Sequence, residues 1–291
     1  MERLRRSMLY IPGSSMKMLE KAKGFEVDSL IIDLEDAVAL SQKEAARETV
    51  VSALKSLDFG DKEKNIRINA ISTPFGRDDI KAVVGAKPDG LVIPKVNSAE
   101  DVKDVEALVD AAEKECGIEK GRTNLLAMIE SPLAIVNIEG IASSSKRLKA
   151  MLFGAADYTK ETRGKITKER LELLYPLNRM VIAARIAGID AIDSPYFDVK
   201  DEDGLIYHTK IVRNMGYDGK SAIHPAQIKP INDIFSPTKE DVEFAKKVIE
   251  AFKEAEAKGI GATVVDGQLV ERLHVETAKR TLMIAQKAGI V

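Results

Sequence analysis

The sequence predicts an α/β protein: a closed (β/α)8 TIM barrel over residues 1–235, with a C-terminal helical extension and lid segment over residues 236–291. Three observations carry that prediction. Short apolar runs alternate with helical signals eight times, and such alternation implies a parallel sheet. Most of these runs stop at a charged side chain, as in IIDLED (Ile31–Asp36), IRIN (Ile66–Asn69), LLAMIES (Leu125–Ser131) and LFGAAD (Leu152–Asp157). Charge at strand exits gathers a site at one face of a closed sheet. No GxGxxG follows a strand, which weakens the open dinucleotide-binding alternative.

The elements follow in order. A first strand over Met8–Ile11 closes at Pro12-Gly13, and Ser14 or Ser15 caps a helix ending at Gly24. Leu30–Leu34 reads as strand two, and Ser41-Gln-Lys-Glu44 as a capping box opening a helix to about Leu57. Ile66–Asn69 is strand three, followed by a short helix stopping near Lys87-Pro88. Leu91–Ile93 is strand four, and Ser98 with Asp101 opens a helix to Gly117. Strand five is Leu125–Ile129, after which Ser131-Pro132 sets a cap and then proline at the first helical position. Strand six is Ala150–Phe153, followed by a polar stretch over Tyr158–Lys168 and a helix from about Glu169 to Gly188. Ala191–Ile192 and Lys220–Ile223 are strands seven and eight, separated by a helix over Asp201–Met215 that Gly216 ends. Beyond Ser236 come a charged helix, a β-like piece around Asp266-Gly267 and a last helix to Ala288.

Composition narrows the classes. Hydrophobic residues make up 45% of the 291, enough for a large core. The formal charge is −2, so no basic footprint points to nucleic acid. No apolar run approaches a membrane span, and the N-terminal apolar stretch is only MLYI, so neither a membrane segment nor a signal peptide is expected. The single cysteine, Cys116, excludes an intrachain disulfide and a cysteine-based zinc site, and reads as a reducing, cytoplasmic setting.

Strand ends place the candidate chemistry. Strand two supplies Asp33, Glu35 and Asp36; strand three, Arg67 and Asn69; then follow Lys95, Glu130, Asp157, Asp193 and His224. Glu130 and Asp157 follow neighbouring strands and suit a hard divalent cation such as Mg²⁺, which takes one or two carboxylates plus waters. The alternative is that each only caps the next helix. Arg67 sits inside an apolar run and needs an anionic partner, either a substrate carboxylate or Glu35 or Asp36. Lys95 reads as a salt-bridge partner of the carboxylates, with a Schiff-base lysine as the alternative. His208 and His274 read as helical and solvated.

Longer strings carry a resemblance. RRSMLYIPGS, DLEDAVALSQKEAAR, IRIN, Pro94-Lys95, AMIESPLAI, LFGAADY, AARIAGIDAIDSPY, MGYDGKSAIHPAQI and DGQLVE run in order along nearly the whole chain. Together they resemble the citrate lyase β-subunit family, within the wider group acting on malyl-, citramalyl- and citryl-thioesters. The resemblance implies a carbon–carbon lyase with Mg²⁺ held by Glu130 and Asp157, and Arg67 on the carboxylate of an oxo acid. It implies polar groups at Glu35 and Asp36 near metal-bound waters, and contacts to the thioester carrier from Arg5, Arg6 and His224. The implied partners are an acyl thioester on CoA or an acyl carrier protein, and oxaloacetate or a similar 2-oxo acid. The implied assembly is a homotrimer or hexamer, within a citrate lyase complex or alone. Relatives present an aspartate in a mobile C-terminal string; here the matching residue is Glu271, with Asp266 nearby. Rival expectations are a malyl- or citramalyl-CoA lyase or thioesterase, and a non-catalytic subunit that binds an acyl carrier.

Overall fold

The structure, a computed structural model, describes residues 3–291. Eight parallel strands close into a barrel in sequence order, each bonded to the next and the eighth to the first. The strands are β1 (Ser7–Pro12), β2 (Ser29–Asp33), β3 (Glu63–Arg67), β4 (Gly90–Ile93), β5 (Asn124–Ile129), β6 (Leu148–Phe153), β7 (Asp190–Asp193) and β8 (Gly219–Ala222). The intervening helices are α1 (Met16–Ala22), α2 (Lys43–Ser56), α3 (Gly76–Val84), α4 (Ala99–Glu115), α5 (Pro132–Val136), α6 (Ile138–Ala142), α7 (Ala155–Thr162), α8 (Leu174–Ala187) and α9 (Glu202–Met215). The predicted barrel is therefore the observed one.

Two units are distinct by their internal contacts. One is Arg5–Ile231; the other is Asn232–Val291 with Arg3 and Leu4. Helix α10 (Ile228–Phe235) carries the boundary. The second unit contains α11 (Lys239–Ala257), the antiparallel hairpin β9 (Ala262–Val265) and β10 (Gln268–Glu271), and α12 (Arg272–Lys287). Asp266 and Gly267 both have positive φ (47° and 81°), as a two-residue hairpin turn requires. Val248, Phe252, Val265, Val270 and Val275 form its own small core.

Strand parity sorts the barrel. Met8, Ile31, Val92, Leu126, Met128, Leu152 and Ile192 point inward and pack as one buried cluster. Burial on both faces explains why most strands read as unbroken apolar runs. One exception is β3, which begins earlier than predicted, at Glu63. Its Glu63-Lys-Asn opening reads as polar, but Glu63 is fully buried. Arg5 saturates it with two bonds of 2.8 and 2.6 Å from 58 residues away, and also reaches Asp190 at 2.6 Å.

Several caps form as expected: Ser98 and Asp101 make a full capping box, and Ser131 accepts from the Ala134 amide at 3.0 Å. The box at Ser41 does not form. Residues Leu40–Gln42 make a 3-10 turn, and Lys43 instead buries its ammonium against the carbonyls of Leu34 and Glu35 at 2.7 and 2.6 Å. The polar stretch over Tyr158–Lys168 begins inside α7, which runs to Thr162 and carries Asp157 in its first turn.

A peripheral ion cluster sets an acid-stability prediction. Buried Glu113 accepts from Arg147 (2.6 Å) and from the amides of Gly121 and Thr123 (2.9 and 2.8 Å). Burial pushes this carboxyl up, but the Arg147 bond and the amides outweigh it and bring the pKa down to about 2. A lowered folded pKa gives stability that is present above the unfolded value near 4.5 and lost as pH falls through about 2. Glu113→Gln should therefore be less stable at pH 7, with melting temperatures converging on wild type near pH 2. A parallel offset at all pH values would contradict this.

Candidate active site

The C-terminal ends of the strands surround a cavity of about 380 Å³. Its polar lining is Tyr10, Asp33, Asp36, Arg67, Glu130 and Asp157. Its apolar lining includes Met128, Phe153, Pro195, Phe197 and Ile223. All belong to the barrel unit. Five strand-end residues singled out in the sequence thus meet in one pocket, because parallel strands in register bring their exits to one rim.

Arg67 organises the β2–β3 side. Asp33 and Arg67 are directly paired in register, so both point inward. The guanidinium donates two parallel bonds to Asp33, Nε to Oδ1 at 2.7 Å and NH2 to Oδ2 at 2.5 Å. Asp33 also accepts from the amides of Glu35 and Ala37 at 2.8 and 2.9 Å, which folds the DLED turn around it. The remaining edge, NH1, lies 3.2 Å from Glu35 Oε2 and 3.4 Å from Asp36 Oδ2. Arg67 stacks over the Tyr10 ring at 5.0 Å. Burial alone would weaken its charge, but Asp33 more than compensates and holds the guanidinium protonated. The main partner is Asp33, not the Glu35 or Asp36 expected as the structural alternative. NH1 is the edge that faces Glu35, Asp36 and the Met128 sulfur instead of Asp33.

Glu130 leaves β5 into a crowded place. Its Oε1 accepts from the Lys95 amide at 2.6 Å. Gly154 is packed so closely that a Cβ there would stand 2.4 Å from the Glu130 Cβ and 2.8 Å from Oε2. Glycine is thus required opposite this carboxylate. Burial, chiefly, pushes the Glu130 carboxyl up to about 7; the Lys95 amide opposes it, and the negative charges of Glu35 and Asp157 add to it. A buried carboxylate held among other carboxylates is a place where a cation removes a standing electrostatic cost. Among the described residues no group of three or more His, Cys, Asp or Glu forms a metal cage. Two carboxylates beside an open cavity suit Mg²⁺, which keeps waters and shares substrate oxygens. The residues present fit such an ion.

Other candidates lie elsewhere. Arg5 and Arg6 precede β1 and sit at the N-terminal rim, opposite the cavity; Arg6 Nε and NH2 bond Asp28 at 2.9 and 2.7 Å. Both guanidiniums bond carboxylates at the barrel floor, away from the cavity where the other candidates meet. His224 is exposed and caps the turn Pro225–Gln227, accepting from the Ala226 amide at 3.2 Å. It is at the correct rim but does not line the cavity. Asp193 points outward between strands and helices, fully buried between Arg170 (2.7 Å) and Lys220 (2.5 Å). Asn69 bonds the Leu34 carbonyl and Asp79. His208 is buried, edge-on to Tyr196 at 4.9 Å, rather than solvated. Glu271 is exposed at the N-cap of α12 in the second unit, and Asp266 pairs with Lys247 at 2.9 Å.

Lys95 bonds Glu35 through its ammonium at 3.1 Å, as its salt-bridge reading expects. That bond raises its pKa, opposite to the depression a Schiff-base lysine needs. Sequence reasoning missed Tyr10 and Lys43. Tyr10 shares inward parity with Met8, a signal that was available; its burial raises the phenol pKa. Lys43 lies in the first turn of a charged helix and carries no local sign of burial.

The barrel thus presents an acidic rim, an arginine inside it and two carboxylates that fit a cation, the arrangement of a barrel enzyme. The family model HpcH/HpaI aldolase/citrate lyase matches residues 6–225, and the chain belongs to this family of carbon–carbon lyases. The citrate lyase subunit beta of Leuconostoc mesenteroides subsp. cremoris is 40% identical over 290 residues, covering 100% of this chain and 96% of the relative. A (3S)-malyl-CoA thioesterase of Cereibacter sphaeroides (strain ATCC 17025) is 42% identical, covering 97% of this chain and 94% of the relative. Among solved structures, the protein CitE from Mycobacterium tuberculosis in complex with magnesium, acetoacetate and coenzyme A superposes with a TM-score of 0.77 at 26% identity, covering 98% of each chain.

Proposed function

We propose that this chain cleaves the C2–C3 bond of a 3-hydroxy-3-carboxy acyl thioester, with citryl on CoA or on an acyl carrier protein as the substrate. The products are oxaloacetate and an acetyl thioester. The observation that carries the reading is one cavity holding Arg67 from the end of β3, Glu130 after β5 and Asp157 after β6. Glu130 and Asp157 would hold Mg²⁺, which supplies Lewis-acid stabilisation of oxyanion charge when bound. The NH1 edge of Arg67 receives the substrate carboxylate and orients it. Asp36, mostly exposed and on the cavity wall, accepts the hydroxyl proton, while Glu35 lies behind it between Arg67 and Lys95. Glu271, in the position of the relatives' aspartate, returns a proton to the thioester α-carbon. Assembly as a homotrimer or hexamer and a cytoplasmic setting complete the proposal, supported by the resemblance and the single cysteine.

A second reading has its own support. Met128, Phe153, Pro195, Phe197 and Ile223 give the cavity a broad apolar wall. Such a wall favours the hydrogen or methyl of malyl or citramalyl over the extra carboxylate of citryl, since an unpaired buried carboxylate is costly. The similarity to a malyl-CoA thioesterase points the same way.

The test is cleavage of citryl-, malyl- and citramalyl-thioesters with Mg²⁺ and in EDTA. Mg²⁺-dependent release of a 2-oxo acid is expected; activity undiminished by EDTA, or none on any thioester, would remove the reading. In the same assay Glu271→Gln should slow α-proton exchange at least tenfold while leaving Mg²⁺ binding unchanged. Unaltered exchange would take the role from Glu271.

A further inference from the structure

Lys95 follows β4 in a left-handed conformation, φ 54°, which a non-glycine residue rarely adopts without a local reason. Two contacts supply the reason. The left-handed turn aims the Lys95 amide at Glu130 Oε1, 2.6 Å away. The side chain turns to the other flank and bonds Glu35 Oε1 at 3.1 Å, while Glu35 Oε2 faces Arg67 NH1 at 3.2 Å. Asp33 already holds two nitrogens of Arg67, so NH1 is the edge that Glu35 and a substrate carboxylate would contest.

We propose that Lys95 is a positioning residue for both halves of the site: its left-handed backbone fixes the Glu130 carboxylate, and its ammonium shares the Glu35 carboxylate with Arg67 NH1, weakening the hold of Glu35 on the edge that would receive substrate. This inference rests on the proposed lyase reading, and it assigns Lys95 no contact with the reacting atoms. The two functions separate by substitution. Lys95→Met keeps the stem and the amide and loses the charge, so Glu35 competes for NH1. Lys95→Gly and Lys95→Val both lose the charge, but glycine accepts a positive φ and a β-branched residue resists it.

The experiment measures Mg²⁺ affinity by calorimetry without substrate, alongside thioester kinetics. Lys95→Met should raise KM about fivefold with kcat within about threefold of wild type, and Lys95→Arg should restore KM. Lys95→Gly should bind Mg²⁺ like wild type, and Lys95→Val about tenfold more weakly. Equal Mg²⁺ affinity for the glycine and valine variants would overturn the backbone role. Unchanged KM in Lys95→Met, or no recovery with arginine, would overturn the ammonium role; these two variants keep the test open if the valine variant does not fold. A wild-type protein that binds no Mg²⁺ would remove the lyase reading itself and this inference with it.

Discussion

Glu130→Gln and Asp157→Ala should each lower Mg²⁺-dependent cleavage on the order of a thousandfold, because each removes one of the two protein oxygens proposed for the ion. Glu130→Gln carries a second, sharper expectation. The Glu130 carboxyl has its pKa raised to about 7, first by burial. A raised carboxyl contributes stability that is fully present below about pH 4.5 and lost as pH rises through about 7, where the charge must stay in its buried site. An uncharged amide of the same shape still accepts from the Lys95 amide and escapes that cost. In EDTA at pH 8 the glutamine variant should therefore be more stable than wild type, by up to about 3 kcal/mol. Adding Mg²⁺ should raise the melting temperature of wild type and leave the variant unmoved. Scanning thermal unfolding at pH 5 and pH 8, with and without Mg²⁺, reads all of this. A variant less stable than wild type in EDTA at pH 8, or one still stabilised by Mg²⁺, would contradict the assignment.

Asp33→Ala should be among the most destabilising single changes in the barrel. It leaves the buried Arg67 guanidinium without the two bonds at 2.7 and 2.5 Å, and it frees the Glu35 and Ala37 amides that shape the turn. Breaking one side of a buried pair costs about 3–5 kcal/mol. In a unit of this size that corresponds to a fall in melting temperature of roughly 10 °C. Cleavage should also be lost, since Arg67 would turn toward Glu35 and Asp36. Combining Asp33→Ala with Arg67→Met should recover part of the stability and none of the activity, because the stranded charge is gone but so is the proposed clamp on the substrate carboxylate. Strict additivity of the two losses in denaturant unfolding would show that the pair is not coupled.

The paths from sequence to site differ for individual residues. Glu130 and Asp157 were legible because each follows an apolar strand, and parallel strands deliver their exits to one rim. Arg67 was legible as a charge inside an apolar run, yet its partner was not. Asp33 lies 34 residues away, and only the register of β2 against β3 makes it, rather than Glu35 or Asp36, the bidentate acceptor. The opening of β3 was hidden because Glu63 is neutralised by an arginine 58 residues distant. Arg5 and Arg6 bond Glu63, Asp190 and Asp28, partners distant in the chain that no local pattern marks.

What the sequence alone determined was the alternation of strands and helices, the closed parallel sheet it implies, the family, and the charges at strand exits. These depend on periodicity and spacing within a few residues, which the chain encodes locally. The tertiary structure alone decided which charges bind each other and which face the cavity. It placed Asp33 on Arg67, the Lys95 amide on Glu130, Asp193 outside the strands and Arg5 at the opposite rim. Ion pairing acts through space at 2.5–3.2 Å, and the separations along the chain that it bridges here leave no periodic trace in the sequence.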